Sequence, residues 1–131
     1  MNEWFLIIGL LVAFILFTVF RYLKQRKILT TLTEEEFRKG YRKAQLIDVR
    51  EPKEFDGGHI LGARNIPVTQ LKQRMKELRK DQPIYLYCQS GSRSARAAML
   101  LNKHGYKDLF DLQGGYKKWT GKIKMSKKPN Y

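Results

Sequence analysis

The 131-residue sequence contains one cysteine, Cys88, and two histidines, His59 and His104, which lie far apart in the chain. So small a set of nitrogen and sulfur ligands argues against a zinc site. No Gly-rich nucleotide fingerprint and no phosphate-binding Lys motif is present, so nothing suggests a nucleotide cofactor, and no cofactor is expected. Acidic residues are scarce, 12 against 26 Lys and Arg, for a net charge of +14. That excess suits nucleic acid, an anionic membrane surface or simple solubility. No RNA- or DNA-binding signature accompanies it, and the basic residues are dispersed rather than striped along one helix. Nucleic acid is therefore not expected as a partner. Internal repeats are absent, and the length allows one domain.

Long uncharged runs are also absent, with one exception. Trp4 to Phe20 carries no charge and almost no polar group. As a helix it spans about 25 Å, near the lower limit for crossing a bilayer. Trp4 and Tyr22 stand at its ends as interfacial anchors do, and Arg21, Lys24, Arg26 and Lys27 follow it. A cleaved signal peptide would place positive charge before the run and small residues after it, and neither occurs. A buried core helix would not be apolar on every face of a domain this small. The expectation is a single membrane span with the following domain in the cytoplasm.

The remaining chain alternates helical and strand patterns. Thr33 with Glu36 forms a capping box, and Phe37 and Tyr41 lie on one helix face. Leu46 to Val49, Ile84 to Tyr87 and Leu109 to Leu112 are predicted strands. Leu71, Met75 and Leu78 have helical spacing; a helix after Cys88 stops at Gly105; Tyr116 and Trp119 begin a last one. Such alternation predicts an α/β fold, a central parallel sheet with helices on both faces, preceded by one transmembrane helix. The expected divisions are an anchor over 1–21, a basic juxtamembrane linker over 22–31, the domain over 32–121, and a basic polar tail over 122–131, expected to be mobile.

The chemistry concentrates at Cys88. It ends the apolar run Ile84-Tyr85-Leu86-Tyr87 and opens the loop Gln89-Ser90-Gly91-Ser92-Arg93-Ser94 ahead of an Ala-rich helix. Strand, tight loop and helix N-terminus aim backbone N–H groups at one point, and such a point favours a thiolate, the nucleophilic form. A cysteine at a strand end is also a common small core residue. The polar loop instead predicts that Cys88 faces a polar mouth. Gly91 frees the backbone to turn, and Arg93 brings a fixed positive charge suited to an anionic substrate.

Four residues separate Cys88 from Arg93, and this loop resembles the active-site loop of the rhodanese family of sulfurtransferases. Cysteine-dependent protein phosphatases use a similar cradle with five residues between Cys and Arg. The shorter cradle suits a single sulfur atom better than a tetrahedral phosphate. Leu46 to Phe55 and Gly58 to Pro67 are similar to the family's N-terminal signature, and Leu112 to Trp119 to its Gly-Gly-aromatic-x-x-Trp motif. The resemblance implies a rhodanese-like fold and a membrane-anchored sulfurtransferase. In the implied mechanism Cys88 attacks the outer sulfur of an anionic donor such as thiosulfate. The amides of Gln89 to Ser94 stabilise the persulfide, and Arg93 steers the donor. A thiol or other thiophilic acceptor in another molecule then takes the sulfur, since no second cysteine exists. Asp48, which can pair with Arg93 or Arg50, is expected to support the loop together with Arg50. His59 is read as structural rather than as a base, and His104 as complementing a helix C-terminus. A binding module with an idle Cys88, a thiol phosphatase and a redox sensor remain the alternatives.

Overall fold

The computed structural model describes residues 3–125. The first two residues of the expected anchor, and the expected mobile tail from 126 onward, lie outside the described residues. Helix α1 (Glu3–Ile28) is followed by β1 (Leu29–Leu32), α2 (Glu34–Gly40), β2 (Gln45–Asp48), α3 (Pro52–Asp56), β3 (His59–Ile60), β4 (Arg64–Asn65), α4 (Leu71–Arg74), β5 (Ile84–Tyr87), α5 (Ser92–Lys103), β6 (Leu109–Leu112) and β7 (Ile123–Lys124). Five strands form one parallel sheet in the order β1-β6-β5-β2-β4, and β3 pairs antiparallel with β7.

Strand alternation divides the core into two layers. Ile47, Ile84, Leu86 and Leu109 point to one face, where Leu71 and Met75 and the α5 residues Ala97, Ala98 and Leu101 cover them. Leu46, Tyr87 and Leu112 point to the other, against Phe37, Tyr41 and Ile60. Both faces of a parallel sheet are thus buried, as the run of apolar residues in β5 requires. The expected capping box is formed: Glu36 N donates to Thr33 Oγ1 at 3.2 Å, and Thr33 N donates to Glu36 Oε1 at 3.3 Å.

Three elements differ from the sequence expectation. Residues 22–31, expected as a linker, continue α1 to Ile28 and then enter β1, an edge strand paired with β6. Its sequence, Leu-Thr-Thr-Leu, puts its two apolar residues on opposite faces, so no alternation marks it. The helix expected from Tyr116 is a single 3₁₀ turn over Tyr116–Lys118, because Trp119 leaves it in extended conformation and stacks edge-on against Phe37 and Tyr41. The segment expected to begin the polar tail forms β7 instead. The helix after the Cys88 loop ends at Lys103, with Gly105 at φ +96° just beyond it.

The stretch Glu3–Lys24 of α1 is long and apolar enough to cross a bilayer, with a mean hydropathy of 2.5, and none of it is buried against the rest of the chain.

Candidate functional site

The carboxyl ends of β2, β5 and β6 converge on the loop that follows β5, the position where open α/β sheets hold ligands. Cys88 is the first residue past β5 and keeps the strand's phase, so its side chain joins Ile84 and Leu86 on the α5 face. It is 1% exposed. The expectation of a thiol facing a polar mouth is therefore corrected: Cys88 lies beneath its loop, because the two-residue period of the strand carries one residue past the last ladder bond.

The loop folds over the sulfur. Gly91 takes φ +118° at the N-terminus of α5, a conformation that favours glycine, and its N–H donates to Cys88 Sγ at 2.9 Å. The N–H groups of Ser92, Arg93 and Ser94 belong to the first helical turn, where the helix itself offers no acceptor. Ser90 and Ser92 are exposed, whereas Ser94 is buried with its hydroxyl 3.6 Å from Cys88 Sγ. That hydroxyl has one proton and two acceptors in reach, Gly91 O at 2.9 Å and Asp111 Oδ2 at 3.0 Å. Burial pushes the Asp111 carboxyl above its ordinary value, with the Thr31 and Ser94 hydroxyls acting the other way. Neither Ser94's reach to the sulfur nor Asp111 was legible from spacing, since Asp111 reads as one polar residue in a short strand.

Two ion pairs frame the loop. Asp48 and Arg50 are both buried, and Arg50 Nη2 donates to Asp48 Oδ2 at 2.7 Å while Arg50 Nε reaches both carboxylate oxygens at 3.0 Å. The guanidinium continues to Gly58 O at 2.7 Å and to Gln89 Oε1 at 3.2 Å, and it lies 4.2 Å from the Tyr116 ring centroid. Asp48 thus supports the loop through Arg50 and Gln89. Asp48→Asn leaves the buried Arg50 charge without its counter-charge. The expected cost is about 3–5 kcal/mol of stability, read as a lower denaturation midpoint with an unchanged slope.

Arg93 does not pair with Asp48. Its guanidinium grips Glu54 with two bonds, Nη1 to Oε1 at 2.5 Å and Nη2 to Oε2 at 2.9 Å. Glu54 also caps α3 by accepting from Glu51 N at 3.1 Å. The Arg93 bonds hold the Glu54 carboxyl down to about 2. The pair is therefore intact across the neutral range, and Arg93 stands at the loop with its charge already balanced. Asp48 is unavailable to Arg93 because Arg50 occupies it.

The Gly114-Gly115 turn buttresses the loop from behind. Tyr116 N donates to Cys88 O at 2.8 Å and Lys117 N to Gln89 O at 3.1 Å. A Cβ on Gly115 would meet Gln89 O at 2.5 Å and Cys88 O at 2.6 Å. The histidines stand apart from this chemistry. His59 is buried, stacks on Phe55 at 3.6 Å between centroids and bonds Phe55 O through Nδ1. His104 bonds Leu100 O at the end of α5. Among the described residues no group of His, Cys, Asp and Glu could hold a metal ion.

The family model of the rhodanese-like domain matches residues 33–122. The uncharacterized protein YqhL of Bacillus subtilis (strain 168) is 64% identical over 115 residues, covering 88% of this chain and 91% of its own length. A putative mitochondrial thiosulfate sulfurtransferase of Schizosaccharomyces pombe is 38% identical over 98 residues, covering 65% of this chain and 69% of its own. The crystal structure of a rhodanese-related protein from Thermoplasma volcanium superposes with a TM-score of 0.68 at 27% identity, over 73% of this chain and 98% of that one.

Proposed function

Because this chain belongs to the rhodanese-like domain family, we propose that it is a sulfurtransferase working through a persulfide on Cys88. The observation that carries the reading is the sulfur itself: Cys88 Sγ receives the Gly91 N–H at 2.9 Å beside the first turn of α5. Those donors suit an anionic sulfur better than a neutral thiol, and they suit an anion one atom further out equally well. The thiolate attacks the outer sulfur of a donor such as thiosulfate. The new S–S bond forms as the donor's S–S bond breaks, and sulfite leaves with the electron pair. The persulfide then yields its outer sulfur to a thiophilic acceptor from another molecule. The decisive measurement is the intact mass of the protein after thiosulfate treatment. One added sulfur, removed again by cyanide and located on Cys88, is the expected result. An unchanged mass overturns the reading and favours a binding module.

Glu54 and Arg93 set how strongly the site draws an anion. Glu54→Gln frees the Arg93 charge and is expected to lower KM for thiosulfate, whereas Arg93→Ala exposes the Glu54 charge and raises it. Shifts of about two- to fivefold match a partly exposed pair, with kcat changed less than KM.

The reading includes an anchor. The apolar stretch of α1 is supported as a membrane span by its length, its exposure and the flanking Trp4 and Tyr22. The positive charges of Arg21, Lys24, Arg26 and Lys27 support a cytoplasmic side for the domain. In a Cys88→Ser background, a cysteine at exposed Lys107 is expected to resist a membrane-impermeant thiol reagent in intact cells and to react once the membrane is opened. Reaction in intact cells reverses the orientation.

A further inference from the structure

The direction in which α1 leaves the domain decides which end of the sheet meets a membrane. Ile28 ends α1 and Leu29 starts β1 with no residue between them. β1 is parallel to β6 and β5, so Leu29 lies at the end of the sheet opposite the Cys88 loop. A helix continuing the line of β1 would project away from Cys88. Instead α1 folds back: it packs against α5, Ile28 touches the core, and Tyr22 lines a cavity together with Ser90, Gly91 and Gly114. The lengths agree. The three steps from Leu29 to Leu32 rise about 10 Å, and the six steps from Ile28 to Tyr22 rise about 9 Å in the opposite sense. Tyr22 therefore stands at the level of the Cys88 loop, and the helix from Glu3 up to it projects beyond that loop.

The apolar stretch ends at Phe20, one turn short of Leu23 and Lys24. With that stretch in a bilayer, Arg21, Tyr22 and Lys24 occupy the headgroup layer, and the Cys88 loop lies beside them. The cavity at Tyr22 holds about 500 Å³ and has a mixed lining, apolar at Leu29, Ala95 and Leu112 and polar at Thr31, Ser90, Asp111 and Gln113. A second hollow of about 430 Å³ lies on α1 between Phe14, Phe17 and Arg21, and Tyr22 borders both. The two hollows meet at Tyr22, so a groove on the apolar helix borders the cavity beside the loop over the sulfur. A small anionic donor arriving from water has no use for it. An acceptor with an apolar body does.

We propose that α1 holds the Cys88 end of the domain against the bilayer surface, and that Cys88 passes its sulfur to an amphiphilic thiol resident in the membrane. The apolar part of that thiol lies along Phe14 and Phe17, and its sulfur enters beside Ser90 and Gly91. This rests on the persulfide and anchor readings above. In the step, the acceptor thiolate attacks the outer sulfur of the Cys88 persulfide. An S–S bond forms to the acceptor, the Cys88 S–S bond breaks, and its electron pair returns to Sγ as thiolate. The proton on the outer sulfur travels with it, and no external oxidant or reductant takes part.

The test uses the full chain in vesicles of phosphatidylcholine and phosphatidylglycerol. Retention on the vesicles through an alkaline carbonate wash checks the anchor, and thiosulfate loading of Cys88 checks the persulfide. In a Cys88→Ser background, a bimane label on Gln113→Cys at the Cys88 end is expected to be quenched several-fold more by headgroup spin-labelled lipid than one on Lys107→Cys at the opposite end. Equal or reversed quenching with the anchor retained overturns the orientation alone. Loaded wild-type protein is then offered dodecanethiol in the vesicles or mercaptoethanol in water. Discharge to dodecanethiol is expected to be at least about tenfold faster at equal total thiol, the gain of a confined reaction. A flexible Gly-Ser segment inserted between Ile28 and Leu29 is expected to erase much of that preference and leave thiosulfate:cyanide activity unchanged. Equal rates with the two thiols overturn the amphiphilic acceptor, and a preference untouched by the insertion overturns the role of the fixed orientation. Loss of the chain in the carbonate wash refutes the anchor and this inference together.

Discussion

Cys88→Ser is expected to reduce thiosulfate:cyanide sulfurtransfer to the uncatalysed rate while leaving a folded domain. The serine hydroxyl is small enough for the space under the loop and can still accept the Gly91 N–H that now meets Sγ at 2.9 Å. The loss of stability should stay near about 1 kcal/mol, the ordinary scale of a point substitution. What the hydroxyl cannot do is ionise near neutral pH and attack a divalent sulfur as a thiolate does. Because Cys88 is the sole cysteine, no other thiol can carry the transferred atom. The two quantities to measure are kcat/KM and the denaturation midpoint of the same preparation. Retained turnover removes Cys88 from the proposed role. Lost turnover with a collapsed midpoint shows only that the variant failed to fold, and Cys88→Ala then repeats the comparison without a buried hydroxyl.

The second large effect is expected at a residue with no side chain. Gly115 has φ +67°, and a Cβ there would press on the carbonyl oxygens of Cys88 and Gln89 at 2.6 and 2.5 Å. Gly115→Ala therefore meets two obstacles. The left-handed backbone costs about 1–3 kcal/mol for a residue with a side chain. The contact is with backbone, so relief requires moving the Cys88 loop or breaking the Tyr116 N–H bond to Cys88 O at 2.8 Å. Activity should fall further than stability, because the segment that must shift is the one that holds the sulfur. Gly62→Ala is the control. Gly62 also has positive φ, at +93°, but nothing lies within 4 Å of its would-be Cβ, so it should lose stability on a similar backbone scale and keep kcat. Equal loss of kcat in both variants would show that backbone strain, not contact with the loop, is responsible.

Particular residues show why some of the site was legible and some was not. Cys88, Gly91 and Arg93 are neighbours in the chain, so the strand–loop–helix they form could be read directly. Asp48 and Arg50 are two residues apart, and their pairing was among the sequence expectations. The pairing of Glu54 with Arg93 is not legible in the sequence: they are 39 positions apart, and Glu54 reads locally as the last member of a helix cap. Asp111 comes within reach of Ser94 only because β6 lies beside β5 in the sheet. The burial of Cys88 follows from strand phase, which the polarity of the adjoining loop masks in the sequence.

The sequence alone determined the α/β class, the three central strands, the position of the thiol at a helix N-terminus and the presence of one long apolar segment. These follow from local patterns: apolar periodicity, caps, glycine turns and uncharged runs are all written within a few residues of where they act. Tertiary structure alone decided that Leu29 to Leu32 forms the sheet's edge, that Glu54 neutralises Arg93, that Gly115 backs the loop, and that α1 turns back past Cys88 rather than away from it. Each of these depends on which distant segments become neighbours. That choice is made by how two apolar layers close over one sheet, a property of the whole chain that no short stretch of it encodes.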